Sequence, residues 1–329
     1  MGKRIDRVEG FAEDGRAMLP ENIVSKKAPA LLLVNPEAGG GRALEYLPRI
    51  ERYFASQDFP YEVEKTNHVE KMEAHARAAA ANGTRLLISA GGDGTFQAVV
   101  NAVDRSKVVV GILPVGGGND FAASAGVPLD PVAAAAAVLR RPVRTMDLLR
   151  ARTADGRVRL YAGGGGIGLD AEAAKYAGGR YRRLPGTLRY VASALAALRK
   201  FKPLEITMEF PEGEHAATTR TVLLAGVLNT HRYGAGLRLA PDARADDGWL
   251  DPVLVERMGL GELLDLLAQL TRTGEVRSAQ ITRMRARRVQ LSADRPAMFH
   301  GDGEILGPAP VEIEVAAGAV RIAGAGEAN

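Results

Sequence analysis

The chain has 329 residues, 46% hydrophobic and 25% charged, with a formal net charge of +4 and no cysteine. That length can bury one large core or two moderate ones, and the lack of cysteine excludes disulfides, thiolate metal sites and cysteine nucleophiles. The five histidines show no HExxH-like spacing, and every apolar run is far shorter than the roughly 18 residues a membrane span needs.

Residues 1–27 are polar and aperiodic, with Lys3, Arg4 and Arg7 but no apolar core. They read as an extension rather than a secretory signal, so a cytoplasmic protein is expected. The fold proper starts near Ala28. Ala30 to Val34 is a short apolar run that ends in Asn35-Pro36 and the glycines Gly39, Gly40 and Gly41, a buried strand feeding a loop. A helix is predicted from Ala43 to Ser56, then a strand from Tyr61 to Lys65, a helix from Glu70 to Ala81 and a strand from Arg85 to Ser89. A glycine turn, a helix from Thr95 to Val103, a strand from Val108 to Leu113, a second glycine turn and a helix from about Asn119 complete the series. Strands alternating with helices in this way imply right-handed crossovers and a doubly wound parallel sheet, so residues 28–148 are predicted to form an α/β domain.

After Pro142 the texture changes to turn-rich strands, at Val158 to Ala162, Leu204 to Phe210, Thr219 to Asn229, Trp249 to Val255, Val289 to Ser292 and Val311 to Val315. Helices at Tyr190 to Lys200 and Leu260 to Thr271 interrupt them. The leucine stripe of the second suits packing on a sheet better than dipping into a membrane surface. Residues 149–309 are thus predicted to form a β-rich domain. Arg180, Arg182, Arg183 and Arg189, and again Arg283, Arg285, Arg287 and Arg288, are basic clusters. Either they attract phosphate or an anionic membrane surface, or they are a solvated arginine-rich face.

The chemistry concentrates in the glycine turns; 38 glycines are roughly 12% of the chain against a usual ~7%. Gly91-Gly92-Asp93-Gly94-Thr95 joins a buried strand to a helix whose free amides and positive end bind phosphate. The glycines admit close approach of backbone to phosphate, Thr95 can cap the helix or donate to phosphate, and Asp93 can hold magnesium directly or through water. Gly116-Gly117-Gly118-Asn119-Asp120-Phe121 repeats the theme, and Asn35 with Gly39 to Gly41 supplies a third loop. Three such loops at strand carboxyl ends should meet in one crevice.

The ordered set of motifs resembles the bacterial diacylglycerol and lipid kinases, relatives of sphingosine and ceramide kinases and more distantly of NAD kinases and phosphofructokinases. The resemblance runs from about Ala28 to Ile322. It rests on Val34-Asn35-Pro36, the GGDGT segment with Asn101, Gly118 to Ala122, Gly166 to Ala171, Tyr233 to Gly236, Ala240 to Ala243, Asp246 to Asp251 and Asp302-Gly303-Glu304. It implies an NAD kinase/phosphofructokinase-like α/β domain followed by a β-rich, sandwich-like domain, with residues 310–326 returning to the first. By the same resemblance Asn35, Thr66 and Gly91 to Gln97, including Gly92, Gly94 and Thr95, together with Gly117 and Asn119, would contact ATP. Asp93 and Asp120 would position a catalytic magnesium, and Glu304 would be the general base. Asp247, with the carbonyls of Arg244 and Trp249, would hold a structural magnesium.

The implied reaction is phosphorylation of a hydroxyl on a lipid such as diacylglycerol, at or near the inner face of the membrane. Nucleic acid is not an expected partner, and a homodimer stays open. Two departures stand out: Gly117 occupies a Thr or Ser position, losing a hydrogen bond worth about 0.5–1.5 kcal/mol, and Gly163 stands where Asn is usual. An NAD-kinase-like enzyme would share GGDGT, but Gly118 to Phe121 fits the lipid kinases better. A non-catalytic nucleotide-binding protein is the remaining alternative.

Overall fold

The computed structural model describes residues 23–169, 201–234, 238–258, 261–262, 269 and 278–327. Most of the amino-terminal extension, the helix predicted at 190–200, the arginine cluster at 180–189, all five leucines of the stripe, and Asp170, Ala171, Ala235 and Gly236 lie outside the described residues.

The first half follows the predicted alternation. Strands β1 (Ala30–Val34), β2 (Tyr61–Lys65), β3 (Leu86–Gly91) and β4 (Val109–Pro114) pair in parallel in the order β2-β1-β3-β4. Every residue of β1, β3 and β4 is buried, as continuous apolar strands covered on both faces should be, whereas the alternating edge strand β2 is partly exposed. Helices α1 (Arg42–Ser56), α2 (Val69–Ala81), α3 (Asp93–Ala102), α4 (Asp120–Ser124) and α5 (Pro131–Arg140) make the crossovers. Helix α3 begins two residues before the predicted start, because the amides of Thr95 and Phe96 both donate to Gly92 O. Helix α5 starts where Asp130 accepts from the amides of Val132 and Ala133, with Pro131 in the first turn.

The second half contains β5 (Arg144–Thr153), β6 (Val158–Tyr161), β7 (Gly164–Gly168), β8 (Leu204–Glu209), β9 (Thr218–Leu228), β10 (Asp251–Glu256), β11 (Ile281–Arg283), β12 (Arg288–Ala293), β13 (Met298–Gly301), β14 (Glu304–Pro308) and β15 (Val311–Ala323). Its pairings are antiparallel and surround a core of their own that includes Tyr161, Phe299, Leu291 and Ile313.

Strand β15 is far longer than the predicted Val311 to Val315. The register slips between Ala316 and Val320, and Gly318, at φ 60°, takes the left-handed turn that lets the strand continue. Beyond the slip, Arg321–Ala323 run parallel to Val109–Gly111, so the chain end joins the first sheet. Asp147 on β5 fixes the irregularity: its carboxylate accepts from Gly318 N and Gly248 N, both at 2.7 Å.

Side chains of α3 tie the halves together. Asn101 donates to Leu160 O at 2.8 Å and accepts from Leu160 N at 2.9 Å, and Gln97 donates to Gly301 O at 3.0 Å. Among the described residues no helix is long and apolar enough to cross a membrane.

Candidate active site

The glycine loops after β1, β3 and β4 come together. A Cβ on Gly39 would lie 2.2 Å from Val115 O, and one on Gly116 would lie 2.4 Å from Gly92 Cα. Real side chains cannot occupy such space, so the second and third loops cross backbone against backbone. Gly91 is closed in as well, since its Cβ would meet Thr95 Oγ1 at 2.1 Å. Arg42, the first residue of α1, donates to Gly116 O at 3.3 Å and places a guanidinium between the first and third loops. That cation was not singled out in the sequence; the available signal was a basic residue directly after a glycine run at a helix start.

Asp93 connects the two GG loops. Its Oδ2 accepts from Asp120 N and its Oδ1 from Phe121 N, each at 3.2 Å. Burial pushes its pKa up, while the surrounding amides pull the other way. The carboxylates of Asp93 and Asp120 lie 3.4 and 3.7 Å from the point a Gly118 Cβ would occupy, so they flank one spot. Two carboxylates flanking one point would suit magnesium, which takes one or two carboxylates and completes its shell with water and phosphate oxygens.

The other residues expected at the nucleotide fall into two groups. Asn35 and Thr66 stand at the carboxyl ends of β1 and β2, with Asn35 Oδ1 accepting from Glu37 N and Thr66 Oγ1 from His68 N. Gly92 and Gly94 border the crevice, and Gly117 is exposed at its rim. Asn119 works inward: its amide group both donates to Gly116 O and accepts from Gly116 N at 3.0 Å, closing the third loop. Gln97 is 3% exposed, and its Nε2 donates to Gly301 O in the second half.

The second half brings two carboxylates to this place. Asp302, in a left-handed turn at φ 52°, accepts from Ala162 N at 2.7 Å, Gly163 N at 2.8 Å and Gly164 N at 3.3 Å. Burial, joined by the negative charge of Asp93, raises it to about 7 against the pull of those amides. A Cβ on Gly163 would sit 3.2 Å from Asp302 Oδ1, so the bare residue at that position gives the clamp its room. Glu304, the first residue of β14, is exposed as a residue, yet its Oε1 lies 3.4 Å from where a Gly94 Cβ would be. Partial desolvation raises its pKa and Arg159 opposes the rise.

At the expected structural magnesium set, the carboxylate of Asp247 already has partners. Asp247 Oδ2 is ion-paired with Arg285, and its Oδ1 accepts from Trp249 N at 3.1 Å. Among the described residues no three acidic or histidine side chains are grouped to hold a metal. The second basic cluster makes contacts within the fold while Arg283, Arg285 and Arg287 remain exposed: Arg285 and Arg287 lie over the Trp249 ring, Arg288 pairs with Glu314 at 2.9 Å, and Arg283 donates to Leu239 O.

Comparison with known proteins agrees with this layout. Residues 29–151 match the diacylglycerol kinase catalytic domain, and residues 165–324 match the YegS C-terminal NAD kinase beta sandwich-like domain. A Stenotrophomonas maltophilia protein named "Probable lipid kinase YegS-like" is 28% identical over 280 residues, 82% of this chain and 88% of that protein. The diacylglycerol kinase of Bacillus subtilis is 26% identical over 290 residues, 86% of this chain and 92% of the relative. A solved diacylglycerol kinase structure from Bacillus anthracis superposes with a TM-score of 0.69 at 21% identity, covering 92% of this chain and 99% of that one, a likeness of fold.

Proposed function

The chain belongs to the lipid kinases that join a diacylglycerol kinase catalytic domain to a YegS-type C-terminal domain, and on that premise we propose that it transfers the γ-phosphoryl group of ATP, with magnesium, to the hydroxyl of a lipid such as diacylglycerol. The observation that carries this reading is the approach of Glu304, from the β-rich half, to Gly94 in the loop that also presents Asp93.

In this reading the crossed backbones at Gly92 and Gly116 and the amino end of α3 receive the phosphates. Asp93 and Asp120 hold the magnesium, which when bound neutralises charge on the phosphate oxygens. Glu304 accepts the proton of the acceptor hydroxyl as that oxygen bonds to the γ-phosphorus and the phosphoanhydride bond to ADP breaks. Asp302, through its three amide partners, holds the turn that carries Glu304. A lipid acceptor would be met at a membrane surface, and Arg283, Arg285 and Arg287 are exposed.

The test is a radiolabelled-ATP assay on the purified chain with magnesium and diacylglycerol in mixed micelles. Labelled phosphatidic acid is expected from wild type, with strong loss in Asp93→Ala and Glu304→Ala. ATP-dependent labelling that ignores both substitutions would overturn the role assignments, and labelling of other lipids or polyols only would overturn the acceptor.

A further inference from the structure

The loop from Asp242 to Asp251 carries four aspartates, Asp242, Asp246, Asp247 and Asp251, where the family resemblance puts a structural magnesium. The backbone explains why a different cation reaches it. Leu250 and Ala286 form an isolated antiparallel bridge, exchanging hydrogen bonds of 2.8 and 3.0 Å. The bridge turns the flanking residues Arg285 and Arg287 to one side, opposite Asp251 and Trp249. Arg285 pairs with Asp247 Oδ2, its Nε lies 4.0 Å from Asp251 Oδ1, and its guanidinium stacks over the Trp249 ring at 5.3 Å.

Of the other aspartates, Asp246 is matched in the same way, whereas Asp251 Oδ2 is buried without a hydrogen-bond partner among the described residues. Asp246 takes Arg244 at 3.2 Å on one oxygen and Arg144 at 3.3 Å on the other. Gly248 N is held by Asp147 at 2.7 Å. A dication on Asp247 would have to displace Arg285, or share one carboxylate with a fixed positive charge. A guanidinium that is always protonated, planar and stacked on an indole suits that post without any metal.

We propose that Arg285 takes the place of a structural divalent cation in the 242–251 loop, so that this part of the molecule is ordered without metal. The inference is independent of the catalytic reading, because it can be tested with neither nucleotide nor lipid present. The experiment is thermal unfolding of the full chain in excess EDTA and in excess magnesium, for wild type, Asp247→Asn, Arg285→Met and Arg285→Met/Asp247→Asn.

Wild type is expected to melt at the same temperature in both conditions, or to show a magnesium effect that Asp247→Asn leaves intact. Arg285→Met is expected to melt lower in EDTA and to regain stability with magnesium, a recovery lost in the double variant. A wild-type magnesium stabilisation that Asp247→Asn abolishes would overturn the proposal, as would an Arg285→Met protein as stable as wild type in EDTA. Should Arg285→Met yield no folded protein, the wild-type and Asp247→Asn melts still decide the matter.

Discussion

Glu304 Oε1 lies 3.4 Å from the position of a Cβ on Gly94, although 210 residues separate the two in the chain. A carboxylate supplied by one half of the molecule thereby stands at the phosphate loop of the other. Glu304→Gln keeps the shape and removes the proton acceptor, so kcat should fall by about 10²–10⁴-fold with ATP binding retained. The pH profile is the sharper readout. Because desolvation raises the pKa of Glu304, the group must lose its proton at a pH above the usual glutamate range before it can act. Wild-type turnover should therefore decline on acidification with a midpoint above that range, and the residual rate of Glu304→Gln should lack this limb. An identical acid limb in the variant would remove Glu304 from the role.

Asp302 predicts a stability effect of opposite sign to that of an ordinary paired carboxylate. Its folded-state value of about 7 lies above the ordinary 3.8, so the folded protein binds a proton that the unfolded chain releases between those values. Stability contributed by the neutral form is thus present at low pH and is lost as pH rises from about 4 to about 7, by up to about 1.4 kcal/mol per pH unit. In Asp302→Asn the amide nitrogen cannot accept from Ala162 N, which costs about 1–3 kcal/mol. Urea unfolding across this range should show the wild-type advantage shrinking as pH rises. A constant gap between the two proteins would mean that Asp302 does not titrate in that window.

Much of the first half was readable because its signals are local. Continuous apolar runs such as Ala30–Val34, each followed by glycine, define parallel strands and the loops at their ends. The second half was harder. Strand β7 is the run Gly164–Gly168, in which only Ile167 carries a β signal; Leu228, Tyr233 and Phe299 pack where side chains on Gly164 and Gly165 would be. The division of labour among the site residues was also hidden. Composition cannot tell that Gln97 and Asn119 bond to backbone, or that Asp302 accepts three amides 138 to 140 residues away. The conflict at Asp247 depends on Arg285, brought in by a two-residue bridge that leaves no pattern in the sequence.

The third glycine loop offers a paired test. Gly116→Ala would place a methyl group 2.4 Å from Gly92 Cα and 2.8 Å from Asn119 Oδ1, and backbone on both sides would have to move. ATP affinity, measured by calorimetry, should drop by about tenfold or more, equivalent to about 1.4 kcal/mol. Gly117, by contrast, is exposed and is not among the left-handed glycines, so Gly117→Thr should be tolerated. If its new hydroxyl reaches a phosphate oxygen, it adds about 0.5–1.5 kcal/mol, a two- to tenfold gain in ATP affinity. Equal effects of the two substitutions would contradict the crossing of the loops as the basis of binding.

Gln97 separates positioning from contact. As a nucleotide ligand its loss would raise the KM for ATP. The observed bond instead runs to Gly301 O, at the root of the turn that carries Asp302 and Glu304. Gln97→Leu conserves bulk in a buried place but leaves that carbonyl without its donor, which costs about 1–3 kcal/mol and frees the turn to shift. A displacement of even about 1 Å at a catalytic group is enough to lower turnover by around 10²-fold. The variant should therefore lose kcat at nearly unchanged KM for ATP, with a lower melting temperature. Gln97→Glu makes the same point through charge, since a carboxylate facing Gly301 O has no proton to donate and repels it unless protonated. Its turnover should recover partly as the pH is lowered toward the pKa of the buried acid, until protonation of Glu304 limits the rate. A rise in KM for ATP without a fall in kcat in either variant would return Gln97 to the nucleotide.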